Sequence, residues 1–543
     1  MTSVSPIPSW NASPSRVSGV TASRADAPAV PASTPSTIVA FGAEGGEMPA
    51  ISYLLPSPKV WESPSRDDVS DQMTKNFAPY ASFGGRFSGL GAALLDQLKG
   101  GVRNVSQALL QPPARTQPAA YAEVGGIAPA SLHGNGQDKV SLSITTKSGV
   151  EVKLSLDSQD DGLAVRMTTS GELGDAEVKA LGDLSEAFQQ AIDGMAQGTP
   201  KVRLAGLMQF DQEVLGSVNL HAEVLVRGEP QSTQTLDFQA DSTQRKVSFT
   251  GVAGSLDVKV DASQLNALGS KERQAKAMSS YIKQIDQASW RGHGDAALMS
   301  MFKDAFTAVH SNAPVSPAST GLPEQGKWQL AAADRAMVTG LPDFSASVTQ
   351  TAAFSNPMRS SEKDGFQYEL SQKTSITGAS QNDRSIRQQQ QSKLSASFHE
   401  TLVPGVALRL TDRVESQNYT YHQIEDTASS DAQIGYKDGK LVKASLQQAA
   451  SQSTHITKFM LGKVESDVTT PTDHSLMRDL VSVLGPYKTG EQGMTPEKKA
   501  EQREKLLQTL GDDVLLQSYA GHAISLWQAD VLPAEADKTA GAV

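Results

Sequence analysis

The chain contains no cysteine. Disulfides, thiolate nucleophiles and cysteine-ligated zinc are therefore excluded. It also lacks any run of about 18 apolar residues, the length a membrane-spanning helix needs, so no transmembrane segment is expected. Aromatic residues make up only 6% of the chain, and no Lys/Arg cluster stands out against a formal net charge of −11. An acidic chain without a basic patch repels phosphate backbones, so nucleic acid is not an expected partner. The opening stretch MTSVSPIPSWNASPSRVSGVTASR has neither a basic n-region nor an apolar h-region, and is no Sec signal peptide. A cytoplasmic protein is the default expectation. Secretion by a signal-peptide-independent route is the alternative, because Ser-rich, weakly charged heads occur on substrates of needle-type and flagellar secretion systems.

What is present is a polar but weakly charged chain of 543 residues, 38% hydrophobic and 20% charged. Uncharged polar residues suit broad sheets with one wet face. Residues 1–136 read as a disordered Ser/Pro/Ala-rich head, punctuated by Pro6, Pro8, Pro14, Pro28, Pro31 and Pro35. Short docking helices are expected within it at about 87–110, in FSGLGAALLDQL and in a second apolar patch at 105–110.

A first module, 137–311, follows. Val140, Leu142 and Ile144 alternate, then Val152, Leu154 and Leu156, with Lys147-Ser148-Gly149 between as a hairpin signal. A helix is expected at 175–196, where Val178, Leu181, Leu184, Phe188, Ile192 and Met195 form one stripe. Strands resume at 218–226, 235–238, 246–249 and 256–260, and helices at 271–290 and 295–310. The Pro/Ser/Gly segment 312–326 is the expected linker. A second module, 327–530, opens with a short helix at 330–337 and continues with long strands to about 468. Its Tyr436-Lys437-Asp438-Gly439-Lys440 marks a hairpin. Terminal helices are expected from Thr472 or Asp473 to Gly485, and from Thr495-Pro496. Residues 531–543 read as a loose tail. The expected fold class is α+β: two antiparallel sheet modules, each packed with or followed by helices, behind a disordered head.

Several motifs invite a chemical reading. Ser280-Tyr281-Ile282-Lys283, Ser416-Gln417-Asn418 and Lys488-Thr489-Gly490 follow the order of penicillin-recognising enzymes. That chemistry needs the serine at a helix start and the last motif on a strand; Ser280 falls in mid-helix and Lys488 in a loop. Asp157, Gln159, Asp161 and Gly162 begin like a calcium loop, but Thr168 stands where a bidentate glutamate belongs. His399-Glu400 has Val403 where a zincin needs its second histidine. Trp290-Arg291-Gly292-His293-Gly294-Asp295 reads as a helix–helix turn with glycines rather than an anion or metal site. His422, Glu425 and Asp426 read as a solvated strand end. Gly84, Gly85, Gly89 and Gly91 lack the lysine and preceding strand of a phosphate loop. Asp160-Asp161 and Asp512-Asp513 are adjacent pairs, not the opposed carboxylates of a glycosidase.

The phrases LSASFHETL, SQNYTYHQIED, KDGKLVKASLQQAASQST and LGKVESDVTTP, with VKLSL and SGELGDAEVKALGDLSEAFQQAIDGM before them, resemble a family of uncharacterised proteobacterial proteins over about 138–485. That resemblance implies no activity, cofactor or site residue. No catalytic residue, cofactor-binding residue, metal ligand or cofactor is assigned. The expected function is a non-enzymatic binding, scaffold or exported bacterial protein, with a protein partner taken through a sheet face or edge. Tyr368, Tyr419, Tyr421 and Tyr436 are contact candidates if they point outward, although their alternation favours the core. The alternatives are a hydrolase of unrecognised geometry and a carrier of an apolar ligand in a cavity beside Phe188. Oligomeric state has no marker in the sequence.

Overall fold

A computed structural model describes residues 58–64, 67–78, 81–111, 129–197, 201–226, 232–263, 269–311, 329–352, 354–485 and 495–518. The expected linker at 312–326, residues 1–57 of the expected head, and the expected tail from 531 lie outside them. The described residues belong to one compact unit, Leu54–Val543.

Two short elements, β1 (Val60–Trp61) and α1 (Asp68–Asn76), lead into α2 (Phe83–Phe87), α3 (Leu90–Lys99) and β2 (Val105–Leu110). Next come β3 (Asp138–Thr146), β4 (Glu151–Gln159) and β5 (Gly162–Thr169), then α4 (Asp175–Asp183) and α5 (Ser185–Met195). A meander β6 (Leu215–Val226), β7 (Ser232–Asp241), β8 (Gln244–Gly251) and β9 (Gly254–Asp261) leads to α6 (Lys271–Gly292) and α7 (Ala296–His310). After α8 (Ala332–Ala336) the strands are β10 (Asp343–Gln350), β11 (Ser355–Asn356), β12 (Arg359–Lys363), β13 (Gly365–Gly378), β14 (Arg384–Thr401), β15 (Tyr419–Lys437), β16 (Lys440–Met460) and β17 (Lys463–Asp479). The helices α9 (Val481–Leu484) and α10 (Pro496–Asp513) follow.

The architecture is an antiparallel sheet packed with helices, as the alternation implies. It is not divided into two sheets. One 15-stranded sheet runs β1-β2-β5-β4-β3-β6-β7-β8-β9-β10-β13-β14-β15-β16-β17, with β11 and β12 paired separately. The join is the β9–β10 ladder, in register from Asp343↔Asp261 to Gln350↔Gly254. The Pro/Ser/Gly composition of 312–326 does not stop the flanking strands from pairing, because backbone hydrogen bonding across a ladder ignores composition in the connection.

Three further expectations are corrected. The docking helix expected within 87–110 is present as α3, but it does not sit on a loose head: α1, α2 and α3 contribute Val69, Phe87, Leu90 and Leu94 to the principal core. Residues 105–110 are strand β2, paired with β5 from Val105↔Met167 to Leu110↔Gly162. The helix expected from Thr472 is instead the second half of β17, paired with β16 as far as Ser445↔Asp479. Val464, Val468, Thr469, Thr470 and Thr472 are β-branched, and their stiff side chains favour the pleat.

The hairpins follow their turn chemistry. Gly149 (φ 91°) turns β3 into β4, and Asp438 (φ 48°) with Gly439 (φ 74°) turns β15 into β16. Alternate strand residues face the helices and are buried, among them Val140, Leu142, Phe238, Val258, Phe344 and Leu394. Tyr281 of α6 and Phe306 of α7 pack edge-on against Phe344, with ring centroids 5.0 and 5.1 Å away. Burying each such side chain contributes roughly 1.5–3 kcal/mol.

Candidate functional site

Tyr281 is buried, and its hydroxyl reaches Gln372 at 3.0 Å and Gln390 at 2.9 Å, so the serine beside it sits in a helix that lies against the middle of β14. Ser416 lies instead in the β14–β15 connection, where its hydroxyl is taken up by Thr411 and the Arg413 carbonyl. From Gln390 to the end of β14 is about 35 Å of strand at roughly 3.3 Å per residue, so the two serine motifs are not brought together. Lys488 lies outside the described residues.

The other motifs resolve into packing. The Gln159 amide donates to Asp161 across the β4–β5 turn at 2.7 Å. Buried Asp157 has its carboxyl pushed above the usual range by desolvation. No group of carboxylates and histidines fit to hold a metal ion occurs among the described residues. Gly91 abuts Phe188 and Ile192 so closely that a Cβ would lie 2.8 and 2.9 Å from them, which leaves no ligand space beside Phe188 at that contact. Lys276 pairs with Asp512 at 2.5 Å, and Arg478 with Asp513 at 3.0 Å.

The tyrosines are turned inward. Tyr419 donates to Glu362 at 2.6 Å, Tyr421 to the Lys363 carbonyl at 3.2 Å, and Tyr436 to Asp334 at 2.8 Å. Burial, then the Glu362 carboxylate, raise the Tyr419 hydroxyl above its ordinary value. His399 is clamped between Asp364 on Nδ1 (2.6 Å) and Glu362 on Nε2 (3.3 Å), beside the Phe354, Tyr419 and Tyr421 rings. His293, at φ 54°, caps α6 and stacks on Phe398, which in turn stacks on His422. Burial lowers His422, with Glu400 opposing. Asp426 is no solvated strand end: its carboxylate takes the Arg291 guanidinium at 2.5 and 3.0 Å.

What the sequence reading did not anticipate is a polar lattice on the helix-facing side of the sheet. Gln372, Gln388, Gln390 and Gln448 are all buried. Gln390 donates to the Val514 carbonyl at 2.7 Å and accepts from the Leu516 amide at 3.0 Å. Gln448 donates to the Asp513 and Leu515 carbonyls, Ser430 to Val514, and Gln284 of α6 to Leu516. The end of α10 and the irregular stretch 514–518 are thus held by side-chain amides, which satisfy backbone groups that no ladder reaches. One signal was available: four glutamines in a strand, 388–391, place two on each face.

Beyond that lattice no helix among the described residues covers the sheet. Every residue of β17 from Lys463 to Asp473 is exposed, and Val464, Val468 and Met477 stand among the exposed large hydrophobics. β17 is the last strand of the sheet and is 17 residues long, whereas the opposite edge, β1, has two. The β16–β17 register runs through Pro471↔Ser453 unbroken. A proline keeps its place in a ladder when its nitrogen faces away from the paired strand. Residues of the same parity, Asp467, Thr469, Asp473, Ser475 and Met477, therefore direct their N–H and C=O groups off the sheet.

No family model, curated protein or solved structure matches the chain.

Proposed function

We propose that this chain is a non-enzymatic binding or scaffold protein that takes a protein partner by strand addition at the outer edge of β17. The observation that carries the reading is that edge: 17 residues long and, among the described residues, unpaired on its outer side. Natural sheets blunt such edges with short strands, charge or cover. Here the β1 edge is blunted by its shortness, while the outward backbone groups of β17 at Asp467, Thr469, Asp473, Ser475 and Met477 meet no other strand among the described residues, in a row broken once, at Pro471. Main-chain bonds from an added strand give affinity, and alternate side chains give specificity. The protein is proposed to be bacterial, and cytoplasmic or exported without a signal peptide. The export arm predicts protein in the culture supernatant only when a needle or flagellar apparatus is intact.

The edge is tested by placing lysines at two exposed positions, Val468→Lys and Met477→Lys. Thermal unfolding is expected to stay within about 0.5 kcal/mol of the parent, as at other exposed positions. Partner recovery from native cells is expected to fall at least tenfold. Unchanged recovery with both lysines in place would remove the edge as the contact surface.

A further inference from the structure

The side chains of β17 divide between its two faces. The ladder to β16 keeps one register from Ser466↔Lys458 to Asp479↔Ser445, so alternate residues share a face over that length. From 467 to 479 the odd positions hold three carboxylates, Asp467, Asp473 and Asp479, and no cation. These positions lie on the helix-free face. The even positions lie toward the helices, as the Arg478 pair with Asp513 of α10 shows. From 468 to 476 they hold Val468, Thr470, Thr472, His474 and Leu476, and no carboxylate. A strand laid along this edge therefore meets negative charge on one side and apolar or β-branched side chains on the other.

Two of the carboxylates are placed to receive a cation. Asp467 accepts from the Thr457 hydroxyl at 2.9 Å and meets His455 Nε2 at 2.5 Å, both on Oδ1. These bonds, the His455 one first, hold its carboxyl below the usual range, so it stays charged. No bond to its Oδ2 is found among the described residues. Asp473 stands six positions on, on the same face and about 20 Å away at roughly 3.3 Å per residue. With Ser475 it forms the β17 end of a cavity of about 880 Å³ on the helix-free face. Inward from Asp473 that cavity is lined by Ala449 and Ser451 of β16 and by Thr427 and Ser429 of β15. Ser451 lies directly opposite Asp473, and Thr427 directly opposite Ser451. Their side chains are short, so a long side chain reaching across β17 finds room there.

We infer, on the reading of β17 as the binding edge, that the strand it takes is a cationic, alternating peptide: Lys or Arg at two positions six apart, opposite Asp467 and Asp473, with apolar or β-branched residues between them beside Val468, Thr470 and Thr472. Six is an even spacing, so both cations share a face whether the added strand runs parallel or antiparallel to β17. Opposite charges facing across strands favour the pairing. The cation at Asp473 lays its aliphatic stem over Ser451 and its charged head on the carboxylate. Pro471 offers no N–H, so the carbonyl opposite it stays in water. A second copy of β17 is a poor occupant, because it would set the same acidic row beside itself, and like charges across strands are destabilising.

The test uses the full chain and synthetic peptides. TKVTVTVKT carries its cations six apart. TEVTVTVET replaces them with carboxylates, and TKVTVTKVT sets them five apart, on opposite faces. Affinity is read by fluorescence anisotropy, and the contact surface by amide exchange. TKVTVTVKT is expected to bind about tenfold tighter than TEVTVTVET and about threefold tighter than TKVTVTKVT. It should slow exchange at Asp467, Thr469, Asp473, Ser475 and Met477. Asp467→Asn with Asp473→Asn, both at exposed positions, should leave thermal unfolding unchanged and remove most of the preference for lysine. Equal affinity for the peptides, with those β17 amides slowed by each, would overturn the charge pattern and leave strand addition standing. No slowing of those amides by any peptide would overturn both. A lysine preference that survives the double Asn variant would overturn the assignment to Asp467 and Asp473.

Discussion

Asp334 is wholly buried and does three jobs at once. Its carboxylate takes the Arg384 guanidinium at 2.6 and 3.1 Å, the Tyr436 hydroxyl at 2.8 Å and the Ala331 amide at 2.8 Å. Replacing it leaves Arg384 charged and unpaired inside the fold. Asp334→Ala is expected to cost about 3–5 kcal/mol, read from urea unfolding. His310 gives the residue-scale pH response. It is buried among Phe306, Phe344 and Arg245, with Nδ1 on the Phe306 carbonyl at 2.8 Å. Burial lowers it to about 4, with Arg245 adding to the shift and the Phe306 carbonyl opposing. Between pH 6.5 and 4 the unfolded chain binds a proton that the folded chain refuses, so stability falls as pH falls through that window. The loss from this group is roughly 3 kcal/mol. His310→Phe is expected to flatten that part of the stability profile while changing little at pH 7. An unaltered slope in the variant would assign the pH response elsewhere. Neither residue was marked in the sequence: Asp334 lies in AADRAM and His310 at a helix end, and their burial depends on chain segments far away.

At the scale of elements, period-two alternation located most strands because each has one buried face. Cap chemistry located α10, which begins after Thr495 with Pro496 next. The reading failed where local pattern and tertiary pairing disagree. β17 has no buried face, so it carries no alternation to detect, and its identity comes from the β16 ladder. β2 is short and, with Ser106 and Gln107 side by side, shows no strict alternation, so period alone cannot tell it from a helix. The stretch 514–518 has no regular structure and is ordered by side-chain amides. Gln390→Leu is expected to leave the Leu516 amide unsatisfied and the Val514 carbonyl with Ser430 alone, costing about 1–3 kcal/mol. Leu516 should then lose its amide-exchange protection while β15 keeps its own. Retained protection at Leu516 would show that the clamp does not hold the segment.

At the scale of the molecule, the composition break at 312–326 suggested a boundary, but β9–β10 pairing carries the sheet across it. The principal core reaches from Val69 to Leu516 and draws on α1, α6, α7 and strands of both halves. Residues 327–530 made alone would lack Tyr281 and Phe306 over Phe344. They are expected to expose apolar surface and aggregate, while the full chain unfolds in one cooperative transition by calorimetry. Two resolved transitions would restore the two-module reading. Among the described residues the same continuity leaves one blunt edge and one long open edge, and the functional account rests on that asymmetry. Residue-resolved amide exchange along β17, with and without the bound partner, tests it most directly. In the free chain Val468, Thr470, Thr472, His474 and Leu476 should be protected by β16, and Asp467, Thr469, Asp473, Ser475 and Met477 should exchange freely. Partner binding should protect this second set. Protection confined to other parts of the sheet, with the outward amides of β17 still exchanging freely in the complex, would contradict the account.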